Sequence, residues 1–125
     1  MPPPVPAEPG LLVLVVSADS RRGRDVAQAV AGWPVAARVS SVAGAMAAVR
    51  AVLARTPELA VVDQALEAVG GPALAQQLAR LRPGLPVLNF GTAAGGGADA
   101  STRAWPWSEL EVVLDRWLDL RLERR

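Results

Sequence analysis

Two aspartates stand out for their chemistry, because each comes shortly after an apolar run. Asp63 directly follows the run from Leu59 to Val62, and Asp19 comes three residues after the run from Leu11 to Val16. A carboxylate at such a point is a candidate metal ligand, and Asp19 is also a candidate helix cap. The residues around the two aspartates, and the elements that would bring them together, decide which chemistry is open to them.

The residue types that are missing exclude several kinds of active site. The chain has no His, Cys or Tyr, and all 13 of its basic residues are Arg. It therefore cannot build a structural zinc site, a Ser-His-Asp triad, a thiol nucleophile or a lysine-based phosphate loop. The net charge of +1, without a basic stripe, argues against nucleic-acid binding. We expect a protein that is not an enzyme and carries no cofactor.

Hydrophobic patterning predicts alternating strands and helices. Continuous apolar runs at Leu11–Val16 and Leu59–Val62 are typical of strands buried on both faces of a parallel sheet. Leu85–Phe90 is predicted as a further strand of that sheet. Shorter strands are predicted at Val35–Val39 and Ser101–Ala104. The helices between them are predicted from their start signals and spacing: one after Asp19 or Ser20, one capped by Ser40-Ser41 and carrying residues 42–53, one from Pro72, and a last one from a Ser108/Glu111 capping box.

This order predicts an α/β fold: a flavodoxin-like, doubly wound, five-stranded parallel sheet with helices on both faces. Gly91–Ala100 is rich in Gly where a helix would be expected, so the fourth helix should be shortened or missing. Sites in such folds lie at the carboxyl ends of the strands. The candidate positions are therefore Ser17–Ser20, Asp63–Ala65, Gly91-Thr92 and Ala104–Trp107.

The chain is expected to be one domain over residues 11–125, after a disordered Pro-rich leader over residues 1–10. No signal peptide or membrane-spanning run is recognisable, so we expect a cytoplasmic protein that does not contact membranes.

The candidate positions taken together resemble the receiver domains of bacterial two-component response regulators, over nearly the whole chain from Leu11 to about Leu122. Asp63, at the end of Ala60-Val61-Val62, matches the aspartate that accepts a phosphoryl group in that family. Pro106 matches the proline of the family's Lys-Pro pair, and the Trp107-Ser108-Glu109-Leu110 that follows matches what comes after that pair. The resemblance implies the CheY-like fold, a role in signalling and Asp63 as the phosphoacceptor.

The departures from the family pattern concern the groups that support phosphorylation. Ser17-Ala18 stands where the family has an acidic pair that holds Mg²⁺, leaving Asp19 one position later. Gly91 occupies the position of a phosphate-sensing Ser or Thr, with Thr92 next to it. Trp105 replaces the lysine, and an indole cannot neutralise phosphoryl charge. Asp63 is therefore expected to be a vestigial or weak acceptor, and Asp19 and Asp63 are weak metal candidates.

Three hypotheses follow. The first is a degenerate receiver that acts through protein contacts, with a signalling protein, a sensor kinase or a second copy as partner. The second is a receiver that a histidine kinase phosphorylates on Asp63, with Mg²⁺ as its cofactor. The third is a flavodoxin-like binder of a small ligand.

Four tryptophans and an arginine cluster complete the expectations. Trp33 and Trp117 should lie in the core. Trp105 and Trp107 should either fill the vacated pocket or form an exposed contact site, with Trp105 within reach of Asp63. The cluster of Arg21, Arg22 and Arg24 should be a solvated face.

Overall fold

The computed structural model describes residues 10–66, 71–91 and 104–123. The elements in chain order are β1 (Leu11–Val16), α1 (Ser20–Ala31), β2 (Ala37–Val42), α2 (Ala45–Ala54), β3 (Leu59–Asp63), α3 (Gly71–Leu81), β4 (Val87–Phe90), β5 (Ala104–Trp105) and, after a 3₁₀ turn (Trp107–Glu109), α4 (Leu110–Glu123).

The five strands form one parallel sheet in the order β2-β1-β3-β4-β5. The chain moves from β1 outward to β2, then returns past β1 to β3, so the order reverses between β1 and β3. The doubly wound, CheY-like fold expected from the sequence is confirmed. Because all the strands run the same way, Asp63 and the residues after β1, β4 and β5 meet at one edge of the sheet.

The core lies on both faces of the sheet, because neighbouring residues of a strand point to opposite sides. On one face, Val13, Val15 and Val61 pack with α1 and α4; on the other, Leu14 and Val62 pack with α2 and α3. Every residue of β3 is buried. This explains why the runs in β1 and β3 are continuously apolar rather than alternating.

Helices α1 and α4 are joined by a tryptophan pair, as expected from the apolar stripes. Trp33 follows the end of α1 and stacks on Trp117 of α4, with ring centroids 6.0 Å apart. The Trp33 indole N–H also donates a hydrogen bond of 2.9 Å to Asp115. The pair therefore combines an apolar contact with a satisfied polar tip.

Both helix starts predicted from serine caps are wrong, and β2 and β4 each begin two residues later than predicted, at Ala37 and Val87. β2 extends to Val42, so Ser40 and Ser41 lie inside the strand, paired with Leu14 and Val15 of β1. Continuous pairing with β1 outweighs the local capping tendency of the serines. Gly44 caps α2 instead, without a side-chain bond. The last helix is likewise entered through the 3₁₀ turn that follows Pro106, which provides no side-chain cap, rather than through the Ser108/Glu111 box.

Several expectations fall outside the described residues. They are the leader over residues 1–9, the shortened fourth helix within residues 92–103, the phosphate-sensing candidate Thr92, and the first three residues of the predicted fifth strand. No helix in the described part of the chain is long and apolar enough to cross a lipid bilayer.

Candidate functional site at the carboxyl ends of the strands

Asp63 ends β3 with its side chain 7% exposed, and both of its oxygens accept hydrogen bonds. The Ser17 hydroxyl, at the end of β1, donates to Oδ2 at 2.7 Å. The Ala65 N–H donates to Oδ1 at 2.9 Å. A buried carboxylate is stabilised by such donors, so Asp63 is held in a fixed position without a bound cation.

Ser17 takes one of the two positions where the family has metal-binding acids, and its hydroxyl bridges two elements. It donates to Asp63 and accepts a bond of 3.0 Å from the N–H of Asp19. This small network links the ends of β1 and β3. A neutral hydroxyl can satisfy one carboxylate, but it contributes no negative charge toward Mg²⁺.

Asp19 is the N-cap of α1, one of the two roles expected for it. Its Oδ1 accepts the backbone N–H of Arg21 at 3.0 Å, and the Arg21 guanidinium binds the same carboxylate, with Nη2 2.8 Å from Oδ2. The side-chain and backbone hydrogen bonds from Arg21 lower the pKa of Asp19 from 3.8 to about 2. The carboxylate is thus ionised at neutral pH and already has a cation as partner.

Trp107 provides the aromatic wall beside Asp63. Its ring stacks on Phe90 with centroids 5.0 Å apart. Between Trp107 and Asp63 lies the backbone of Gly91: a Cβ on that residue would come within 2.8 Å of the Trp107 Nε1 and 3.3 Å of the Asp63 Oδ1. The indole Nε1 and the Asp63 carboxylate therefore both lie against Gly91, around the space that a Cβ would need.

Trp105, which was expected near Asp63, occupies a different place. It lies in β5, paired with Phe90 in register, and 40% of its surface is exposed. The two tryptophans around Pro106 thus divide the two expected roles, with Trp107 in the pocket and Trp105 on the surface. The reason is register: the 3₁₀ turn after Pro106 turns Trp107 back over the end of β4.

The arginine cluster at the start of α1 is not uniformly a solvated face, and the expectation is wrong for Arg22. Arg21 is exposed and paired with Asp19, and Arg24 is exposed. The Arg22 guanidinium, however, lies over the Trp107 ring, 4.4 Å from its centroid, and the Arg22 side chain is only 29% exposed. A cation over an indole is a favourable contact. The sequence signal for this contact is the position of Arg22, one helical turn after the Asp19 cap. That position lies on the side of α1 that faces the ends of the strands.

These groups surround an open cavity of about 760 Å³. Asp63, Asp19, Arg22, Gly91, Pro106 and Trp107 are among its lining residues, together with Ala18, Ala65 and Ala104. Within the described residues no three acidic side chains come together as a metal site would need. The residues that line the cavity do not fit Mg²⁺, because the Asp19 carboxylate is paired with Arg21 and the Arg22 guanidinium already faces the cavity.

The comparisons with known proteins agree on the fold. No protein-family model and no curated protein matches the chain. Among solved structures, the chain is similar to a two-component transcriptional regulator AraC from Clostridium phytofermentans ISDg, with 14% identity over 91% of this chain and 96% of that one and a TM-score of 0.74.

Two further structures are similar in the same way. One is a CheY-like response regulator receiver domain protein from Methanospirillum hungatei JF-1, with 19% identity over 92% of this chain and 98% of that one and a TM-score of 0.71. The other is the receiver domain of NtrX from Brucella abortus, with 22% identity over 86% and 98% and a TM-score of 0.67. At these identities the similarity establishes the fold.

Proposed function

We propose that this chain, which has the fold of response-regulator receiver domains, works in signal transduction as a protein-interaction module that does not depend on phosphorylation. The observation that carries the proposal is the Arg22–Trp107 pair beside Asp63. The cavity holds the Arg22 guanidinium over the Trp107 indole, 4.4 Å from the ring centroid.

Phosphoryl transfer depends on cations placed against the charge that develops on the transferring group. At this site Ala18 provides no ligand, Asp19 is bound to Arg21, and Ser17 provides a neutral hydroxyl. Trp105 offers one neutral N–H and lies at the surface. Among the described lining residues, Arg22 supplies the positive charge. Its guanidinium is already engaged with the Trp107 ring and with Asp25, whose Oδ2 lies 3.4 Å from the Arg22 Nη1.

An exposed tryptophan supports the interaction part of the proposal. Trp105 is 40% exposed in the edge strand β5. Tryptophan is enriched among the residues that carry most of the energy of protein–protein binding. The partner is a signalling protein, a sensor kinase or a second copy of the chain.

The test is a titration with MgCl₂ and then acetyl phosphate, followed by tryptophan fluorescence and intact mass. Trp107 is the internal reporter, because its ring edge adjoins the site. We expect a flat fluorescence response and no added phosphoryl mass. A saturable response at millimolar Mg²⁺ that disappears in both Trp107→Phe and Asp63→Asn, with a mass gain on Asp63, would establish the phosphorylated receiver instead.

A gain-of-function variant controls for the sensitivity of the assay. Ala18→Asp changes one exposed residue that lines the cavity, so the fold should be retained. The change adds an acid after β1. We expect this variant to respond to Mg²⁺ more strongly than the natural chain, because it supplies a further carboxylate ligand.

A further inference from the structure

A second concave surface lies far along the sheet from Asp63, beside the edge strand β2. It is a groove of about 420 Å³, within the range of ligand-binding clefts. Its floor includes Leu12 and Leu14 of β1, with Arg38 and Ser40 of β2 beside them, and its far wall contains Arg55 at the end of α2. We call these five residues the β2 groove.

The groove exists because α2 covers the middle of the sheet and not its edge. Arg38 and Ser40 pair in register with Leu12 and Leu14, so the four side chains share the face on which α2 packs. Leu14 is 2% exposed, whereas Arg38 and Ser40 are exposed. Ser40 is small, so the apolar floor can be reached over it from the edge of the sheet.

The outer side of β2 also offers backbone hydrogen-bonding groups. At the two ends of the ladder, the Leu11 N–H donates to Ala36 and the Ser17 N–H donates to Val42, at 2.9 and 3.0 Å. In a parallel ladder such bonds recur at every second residue, so Val39 and Ser41 direct their N–H and C=O groups away from β1. In the described part of the chain no strand pairs with this side of β2.

The charge on the rim determines what kind of segment fits. Arg38 and Arg55 stand on opposite sides of the apolar floor, and the described residues contain no ion pair for either. Glu58, the acid nearest in sequence to Arg55, accepts the backbone N–H of Leu12 instead. Both arginines lie toward the amino-terminal end of the strands, Arg38 level with Leu12 and Arg55 three residues before Glu58, whose N–H donates to the Leu12 C=O. Two guanidiniums there complement a segment that carries a carboxylate beside an apolar side chain.

We propose that the β2 groove binds an extended acidic segment of a partner protein, which adds to the sheet as a strand beside β2. Side chains of an added strand alternate between faces, so its groove side presents an apolar residue level with Ser40 and, two residues away, an acid level with Arg38. That acid lies at the end of the groove where Arg38 and Arg55 both stand. Two cations, without an aromatic stacking surface in the lining, favour a peptide over a nucleic acid.

This inference goes beyond the proposed function, because it names the partner's chemistry at a surface separate from Asp63. The test is selection from a displayed library of random heptapeptides on the full chain. We expect enrichment of sequences with Asp or Glu two residues to one side of an apolar residue. The affinity of an enriched peptide, measured by fluorescence polarisation, should fall at least tenfold in the Arg38→Glu/Arg55→Glu variant.

Two control variants and two other ligands complete the test. Arg80→Glu, an exposed change at the end of α3, should leave the affinity within twofold. Ser41→Pro, whose circular dichroism should remain native, should weaken binding several-fold because it removes an outward N–H without removing a bond to β1.

Enrichment of basic or purely apolar peptides, binding unaffected by the double variant, or a stronger response to single-stranded DNA or phosphatidylserine vesicles would overturn the proposal. Each of these outcomes leaves the Mg²⁺ and acetyl phosphate test at Asp63 unaffected.

Discussion

Asp63 lies at the end of β3 with neutral donors on both of its oxygens, the hydroxyl of Ser17 and the N–H of Ala65. Among the described residues that line the cavity, the positive charge belongs to Arg22, whose guanidinium lies over the Trp107 ring. Substitutions at this site therefore act on these two hydrogen bonds and on this one stacked contact.

Substitution of Gly91 shows how closely Trp107 and Asp63 pack around this residue. Its φ of +88° favours glycine, and a Cβ would also meet the Trp107 indole at 2.8 Å. Gly84 has a φ of +93° with nothing within 4 Å of its Cβ position. We expect Gly84→Ala to lower the free energy of unfolding by about 1–2 kcal/mol from backbone strain alone. Gly91→Ala should lower it by a further ~1 kcal/mol or more and shift the Trp107 emission. Equal losses in urea unfolding would show that Trp107 is loosely held.

Asp19 should make stability depend on acid pH. Its pKa is about 2 in the folded chain, because of the hydrogen bonds from Arg21, against an ordinary 3.8. Because the pKa is depressed in the folded chain, the ionised Asp19 carboxylate contributes fully to the free energy of unfolding above about pH 4. This contribution is lost as the pH falls through about 2. Asp19→Asn keeps a capping oxygen but not the charge. The difference in unfolding free energy between the two proteins should therefore shrink from pH 5 to pH 2; a difference constant with pH would contradict the assignment. Carboxyl NMR titration gives the pKa directly.

At the scale of elements, α2 begins less favourably than its neighbour α1. Gly44 occupies its N-cap in an extended conformation without a side-chain bond, and nothing lies within 4 Å of its Cβ position. Asp19 at the start of α1 shows what an acidic cap does in this fold. The serines that the sequence offered as a cap for α2 are taken up by β2 instead.

Gly44→Asp should stabilise the chain. An aspartate there would accept a free N–H of the first turn and suit the helix dipole, and loss of a glycine reduces the entropy of the unfolded chain. We expect a gain of about 0.5–1 kcal/mol in urea unfolding. Gly32→Ala, at the C-terminal end of α1 with φ of −83°, isolates the entropy effect alone. A gain no larger than that of Gly32→Ala would mean that the cap is not formed.

The contact between α1 and α4 rests on one polar bond as well as on stacked rings. Asp115 accepts the Trp33 indole N–H at 2.9 Å, whereas Asp119, one turn later, is an exposed residue of the same helix. We expect Asp115→Ala to lower the free energy of unfolding by ~1 kcal/mol, because it leaves a half-buried N–H without its partner. Asp119→Ala should change it by less than about 0.5 kcal/mol. Similar values for both variants would indicate that the bond is not formed in solution.

At the scale of the whole molecule, stability depends on packing both faces of the sheet at once. Val61 and Val62 are adjacent in β3, both fully buried, and belong to the α1/α4 face and the α2/α3 face respectively. A domain of this size has a small margin of stability, so neither face can be dispensed with.

Val61→Ala and Val62→Ala should therefore cost similar amounts. Each removes two buried methyl groups and leaves a cavity, so we expect a loss of about 2–3 kcal/mol and a single cooperative transition in both cases. Ser40→Ala, on the exposed edge strand, should stay within about 0.5 kcal/mol. Separate transitions, or a loss in only one of the two variants, would show that the two faces fold independently.

The sequence by itself determined the architecture, because the buried strands β1 and β3 are continuously apolar and the stretches between them have helical periodicity. It also determined where a site must lie, since parallel strands bring Asp63 and the ends of β1, β4 and β5 to one edge. The neutral Ser17-Ala18 pair and the absence of lysine were readable in the same way, because they depend on residue type alone.

Only the tertiary structure decided which side chains reach one another. It placed Trp107 rather than Trp105 beside Asp63, brought Arg22 over that ring and kept Ser40 and Ser41 in β2. These outcomes depend on register, on the 3₁₀ turn after Pro106 and on how far α1 and α2 extend over the sheet. Such contacts join residues from distant parts of the chain, so no local pattern of residue types encodes them.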